Sequence, residues 1–136
     1  MFRIISLALL VISSSAFASD TDFADKVLIA SVIAEELNES TPVRIDTVTV
    51  LEEITADKWG DIVYKYSVSV SPDKRVATTA ALGRMQSSIK MGVCSEPEAR
   101  GIIDSGMAVK FRYYAETGEY MRMIATRASD CIRLGV

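Results

Sequence analysis

The chain has no histidine in its 136 residues, which removes at once the commonest general base and the commonest transition-metal ligand. Zinc sites and serine–histidine triads are therefore excluded as starting hypotheses. Cysteine is nearly as scarce. Cys94 and Cys131 are the only two, no C-x-x-C occurs, and thiol oxidoreductase chemistry has no motif to rest on. Also missing are G-x-S-x-G, S-x-x-K and any glycine loop of the phosphate-cradling kind. The expectation is a chain with no metal and no cofactor. A basic tract is lacking as well, and no apolar run approaches the roughly 20 residues that span a bilayer.

What is there begins with an export signal. Arg3 is followed by an apolar run from Ile4 to Ile12, a serine patch at Ser13 to Ser15, and Ala16-Phe17-Ala18. That is the order of charged region, apolar region and small-residue cleavage site in a secretory signal, and it predicts a cut after Ala18. No cysteine follows the run, so a lipid-accepting position is absent. Residues 1–18 read as the signal and 19–136 as one domain, periplasmic or secreted, with no membrane insertion after cleavage. Losing Arg3 reduces the 15 Lys and Arg by one against 18 Asp and Glu. A domain of that sign does not compete for phosphate backbones, so nucleic acid is not an expected partner. In an exported chain the two cysteines are expected to pair. Closing such a loop is worth about 4 kcal/mol on the chain-entropy account.

Along the rest of the chain, Val27, Ala30, Ile33, Ala34 and Leu37 recur at helical spacing between Asp22 and Asn38. Leu28, Ile29 and Val32 widen the stripe, which predicts an amphipathic helix lying across a sheet. Thr41-Pro42 ends it. Val43 to Ile54 is rich in Val, Ile and Thr, but its phase slips near Thr47, as a β-bulge or a strand buried on both faces would make it; the bulge is the expectation. Ile62, Tyr64, Tyr66, Val68 and Val70 alternate with Val63, Lys65, Ser67 and Ser69, a half-buried strand that should form a hairpin with the one before.

After Ser71-Pro72-Asp73, a second helix is expected from Val76 to Val93, ending near Cys94. A short third follows, opened by Glu96-Pro97-Glu98 and closed by Gly106. A second hairpin carries Val109, Phe111 and Tyr113 opposite Lys110, Arg112 and Tyr114, turns at Thr117-Gly118, and returns through Tyr120 to Thr126. The order is α-β-β-α-α-β-β. The fold class expected is α+β, a four-stranded antiparallel sheet from two hairpins with helices on one face. A Cys94–Cys131 bond would then pin the last strand to the helices.

Carboxylate pairs are the one catalytic device that needs no histidine. Glu35 with Glu36, Glu52 with Glu53, and Glu96 with Glu98 are the candidates, each sitting where a solvated helix face, a turn or a helix N-terminus carries acids anyway. Asp57 and Asp61 flank Trp59 in a polar loop, but Ca²⁺ wants more oxygen ligands at tighter spacing. Trp59, the only tryptophan, is either an exposed binding anchor or folded over the sheet edge. With Tyr114, Lys110, Arg112 and Arg122 it makes a candidate aromatic and basic surface for a protein partner.

Leu37-Asn38, Thr41-Pro42-Val43-Arg44-Ile45-Asp46, Val63-Tyr64-Lys65-Tyr66, Val93-Cys94, Arg100, Gly106, Tyr113, Gly118 and Cys131 together resemble the small secreted proteins classed as quorum-sensing-regulated virulence factors of Gram-negative bacteria. The layout is also similar to the β-type pilotins of type II secretion, which are lipoproteins. Neither resemblance implies a catalytic residue. The reading is an exported, non-enzymatic protein-binding domain, a secreted virulence-associated factor. The alternatives are a pilotin-like periplasmic accessory of a secretion system, which implies a helical ligand in a groove of the helix layer, and a carboxylate-pair hydrolase.

Overall fold

The computed structural model describes residues 18–136. The predicted signal, Met1 to Phe17 of it, lies outside the described residues, and the predicted cut falls at the first residue of the first helix. The elements are α1 (Ala18–Asn38), β1 (Val43–Arg44), β2 (Thr49–Ala56), β3 (Ile62–Val68), a 3₁₀ turn (Pro72–Lys74), α2 (Arg75–Arg84), α3 (Gln86–Ser95), α4 (Pro97–Asp104), β4 (Val109–Ala115), β5 (Tyr120–Thr126) and α5 (Ala128–Leu134). The class is α+β as expected, but the sheet is five-stranded and mixed, in the order β1-β2-β3-β4-β5.

The four-stranded antiparallel expectation fails at its centre. β3 and β4 run parallel, with Ile62 opposite Val109 and Val68 opposite Ala115. Two hairpins joined by a long helical connection can meet either way. Here α2, α3 and α4 carry the chain back along the sheet before β4 enters beside β3, the crossover that parallel strands require. The phase slip near Thr47 is not a bulge but a tight turn. Asp46 accepts hydrogen bonds from the N–H groups of Val48 and Thr49, and the chain folds back with Val43 opposite Leu51. A bulge does occur in β2, between Leu51 and Glu53.

The helix predicted from Val76 to Val93 is two helices, α2 and α3, meeting at Met85. α5 was not expected at all. It starts at Arg127 with Asp130 accepting from the Arg127 N–H at 2.9 Å and stops at Gly135, whose φ of 75° is the left-handed conformation that favours glycine. Cys131 sits inside it. The disulfide therefore joins α3 to α5, helix to helix, at a Cα separation of 5.6 Å; it does not pin the last strand as the shorter layout implied.

α1 lies on β2 through Ala30 and Ala34, both buried, whose small side chains let the helix approach the sheet closely. Leu28, Ile29 and Val32, expected to face the sheet, are more than half exposed. They occupy the outer turn of the helix, because a stripe of about 100° already exhausts the contact with a flat layer. Asn38 fixes the end of α1, its side-chain oxygen accepting from the Ile54 N–H at 2.7 Å. Two apolar clusters fill the interior. One joins α1, α3, α4 and α5 to β2, β3 and the start of β4; the other sets Leu82 and Ile89 against Val68, Tyr113, Met121 and Ile124.

Candidate functional site: an aromatic groove in the helix layer

The alternation read from β3 and β4 holds. Ile62, Tyr64 and Tyr66 stand on the helix side of the sheet, and the parallel register places Phe111 beside Tyr64 and Tyr113 beside Tyr66. The rings interlock. Tyr64 and Tyr66 each meet Phe111 edge to face, at 5.3 and 5.2 Å, and Tyr66 stacks on Tyr113 at 5.2 Å, arrangements that aromatic quadrupoles favour.

This row is only partly covered. α1 packs on β2 and lightly on β3, while α2 and α3 pack on β5. A groove of about 280 Å³ remains over β3 and β4, lined by Tyr64, Phe111, Ile89, Gly92, Val93, Ala99 and Glu96. Gly92 leaves its wall open, since a Cβ there would meet nothing within 4 Å. Among the described residues, Glu96 is the only charged one in the lining. Its carboxylate caps α4, accepting from the N–H of Glu98 at 3.1 Å and of Ala99 at 2.7 Å. Burial first, and then the charges of Glu98 and Glu96, push the Tyr64 hydroxyl up to about 12. Burial alone takes Tyr113 to about 12. These phenols stay protonated at neutral pH, so the groove floor is uncharged.

The surface residues predicted from sequence are scattered. Trp59 is exposed in the β2–β3 loop, with the Lys58 ammonium 5.0 Å from its ring. Tyr114 and Arg112 do come together on the helix-free face, in a shallow cleft with Glu53, Thr55, Val63, Lys65 and Gly118; the Lys65 ammonium lies 5.3 Å from the Tyr114 ring. Lys110 is not available to a partner, being buried with its ammonium 2.5 Å from Asp57 and 3.1 Å from Asp61. Arg122 is turned to the opposite face, where its guanidinium lies so close beneath Gly83 that an added Cβ would sit 2.9 Å from it. A bulge in the β4–β5 pairing after Tyr113 shifts the phase of β5.

Several of the acids considered for catalysis or calcium bond within the fold. Asp57 accepts from the N–H groups of Trp59 and Asp61, and Asp61 from that of Ala108 at 2.8 Å. Glu52 accepts from the Ser67 hydroxyl at 2.6 Å, Glu53 pairs with Lys65 at 3.8 Å, and Glu35 and Glu36 lie exposed on α1. A groove in the helix layer is what the pilotin-like resemblance implies, but its lining is not legible residue by residue, because its floor depends on the parallel register of β3 and β4.

No protein-family profile matches the chain, and no curated protein matches it. Solved structures do. A Pseudomonas aeruginosa protein taken to be secreted superposes with a TM-score of 0.71 at 15% identity, over 80% of this chain and 95% of its own. The pilotin EpsS of the Vibrio vulnificus type 2 secretion system gives 0.60 at 14%, over 82% and 96%. The type II secretion system pilotin AspS of Vibrio cholerae gives 0.60 at 15%, over 84% and 99%. The chain shares the fold of these proteins.

Proposed function

We propose that this chain is an exported, non-enzymatic domain that holds an apolar helix of another protein in the aromatic groove, as a pilotin-like accessory of a secretion system. The observation that carries the proposal is the groove walled by α3 and the start of α4, floored by Tyr64 and Phe111 and open at Gly92. Uncovered apolar surface with this shape suits an amphipathic helix laid along it. The fold shared with two pilotins supports the reading. Cleavage after Ala18 belongs to the same proposal and would release the domain into the periplasm.

The test is a photo-crosslinking residue placed at Ile89, on the groove wall, in the full chain expressed in cells. The expected result is one dominant adduct with another envelope protein, lost when Gly92 is changed to Leu. A residue at Gly101, where a side chain would meet nothing within 4 Å, is the control. No adduct from the groove, or the same adducts from both positions, would overturn the reading.

A second reading is a factor released to the medium. It is favoured by the fold shared with a Pseudomonas aeruginosa protein taken to be secreted. Fractionation with intact-mass analysis separates the two. A chain of Ser19 to Val136 less two hydrogens in the periplasm supports the accessory role, and the same species in the supernatant supports the released factor.

A further inference from the structure

The groove is apolar along its length and acidic at one end. Glu96 is held in place by the two N–H groups it caps. Glu98, the second residue of α4, is exposed and has no ion-pair partner within 4 Å among the described residues. The cations that could neutralise this end are engaged elsewhere: Arg100 binds Asp104 at 2.9 Å and reaches the Cys94 carbonyl, and Lys90 turns to Asp130 at 3.0 Å. Glu96 lines the groove together with Tyr64, and Glu98 follows it in the first turn of α4, its N–H bonded to the Glu96 carboxylate; the charges of both act on the Tyr64 hydroxyl.

Resting on the helix-holding role proposed above, we infer that the occupant is an amphipathic helix carrying a Lys or Arg beside its apolar stripe. That cation seats at the Glu98 end of the groove, against Tyr64. It fixes which way round the helix lies. An apolar stripe alone is nearly symmetric end to end, whereas one charge pair at one end discriminates between the two orientations and rejects a helix with an acid there.

Three synthetic helical peptides of identical apolar stripe, bearing Lys, Gln or Glu at one terminal position of that stripe, are titrated against the purified domain by NMR. Amide shifts of Gly92 and Glu98 are followed. The Lys peptide is expected to bind about three- to fivefold more tightly than the Gln peptide, the range of a partly exposed ion pair, and the Glu peptide more weakly than either. High salt should compress the series. In Glu98→Gln the Lys advantage should vanish, and in Glu98→Lys the order should reverse. Equal affinities for all three peptides at Gly92, unchanged in Glu98→Gln, would overturn the cation inference and leave the groove's role standing. Absence of any shift at Gly92 with every peptide would overturn both.

Discussion

The Lys110 ammonium lies 2.5 Å from an Asp57 carboxylate oxygen, joining the first residue of the β2–β3 loop to the second residue of β4 across 53 positions of sequence. Asp61 lies on its other side at 3.1 Å. The pair closes the end of the two parallel strands that carry the groove floor. Both side chains are nearly buried, so removing one charge strands the other in a poor solvent.

Lys110→Met is accordingly expected to lower unfolding stability by about 3–5 kcal/mol. Urea denaturation measures it. Asp57→Asn with Lys110→Met should recover part of the loss, because the carboxylate then left at the contact, Asp61, keeps the Lys26 ammonium at 3.7 Å. A single mutant within 0.5 kcal/mol of the parent would contradict the buried pair.

Acid should unfold the domain through the same carboxylates. Burial alone would raise Asp57, but hydrogen bonds from Lys110 and from the N–H groups of Asp61 and Trp59, with the Lys110 charge, hold it below its ordinary value. Asp130 is likewise held down against burial by the Arg127 N–H, by Lys90 and by Arg133. A depressed folded-state value means the stabilisation is present above the unfolded value near 4 and is lost as pH falls through the folded value. Urea midpoints should therefore drop below about pH 4, and less steeply in Asp57→Asn. A midpoint constant from pH 6 to pH 2 would refute this.

The Cys94–Cys131 bond closes a span of 37 residues that contains α4, β4 and β5. Replacing both cysteines by serine should cost about 4 kcal/mol. Because Cys131 lies in the short, peripheral α5, hydrogen exchange should rise there before it rises in β3 or β4. Uniform loss of protection would show that the staple acts on the whole domain at once.

Gly92 separates stability from binding. Gly92→Ala has free space for its Cβ and removes a helix-interior glycine, so a gain of up to about 1 kcal/mol is expected in thermal or urea unfolding. Gly92→Leu should keep much of the fold's stability but fill the groove and reduce peptide affinity. Gly101→Ala, on α4, should stabilise similarly and leave affinity unchanged. Equal affinity for Gly92→Leu and the parent would move the binding site elsewhere.

Much of the layout was legible in the chain because it is written in local patterns. The 3.6-residue spacing of Val27, Ala30, Ile33, Ala34 and Leu37 placed α1, and strict alternation from Ile62 to Val68 placed β3 and its inward aromatics. Gly106 and Gly118 marked ends and turns, and both adopt positive φ. The helix α5 also carries a local signal, Asp130 at its third position and Gly135 at its end. Of the predicted surface, Trp59 and the Tyr114–Arg112 pair stand where alternation and loop position put them. Lys110 is buried against Asp57 and Arg122 is turned to the other face, since an ion partner 53 residues away and a bulge in the β4–β5 ladder are not local properties.

The sequence by itself determined the α+β class, the absence of histidine chemistry, the pairing of two cysteines and the inward row of rings on each central strand. Only the tertiary structure decided that β3 and β4 run parallel, which sets Tyr64 beside Phe111, and that α3 and α4 wall a groove over those rings without filling it. Periodicity acts over a few residues and survives in the linear code. Strand direction and helix spacing depend on where a connection of some 40 residues comes back to the sheet, a choice made by the whole core at once.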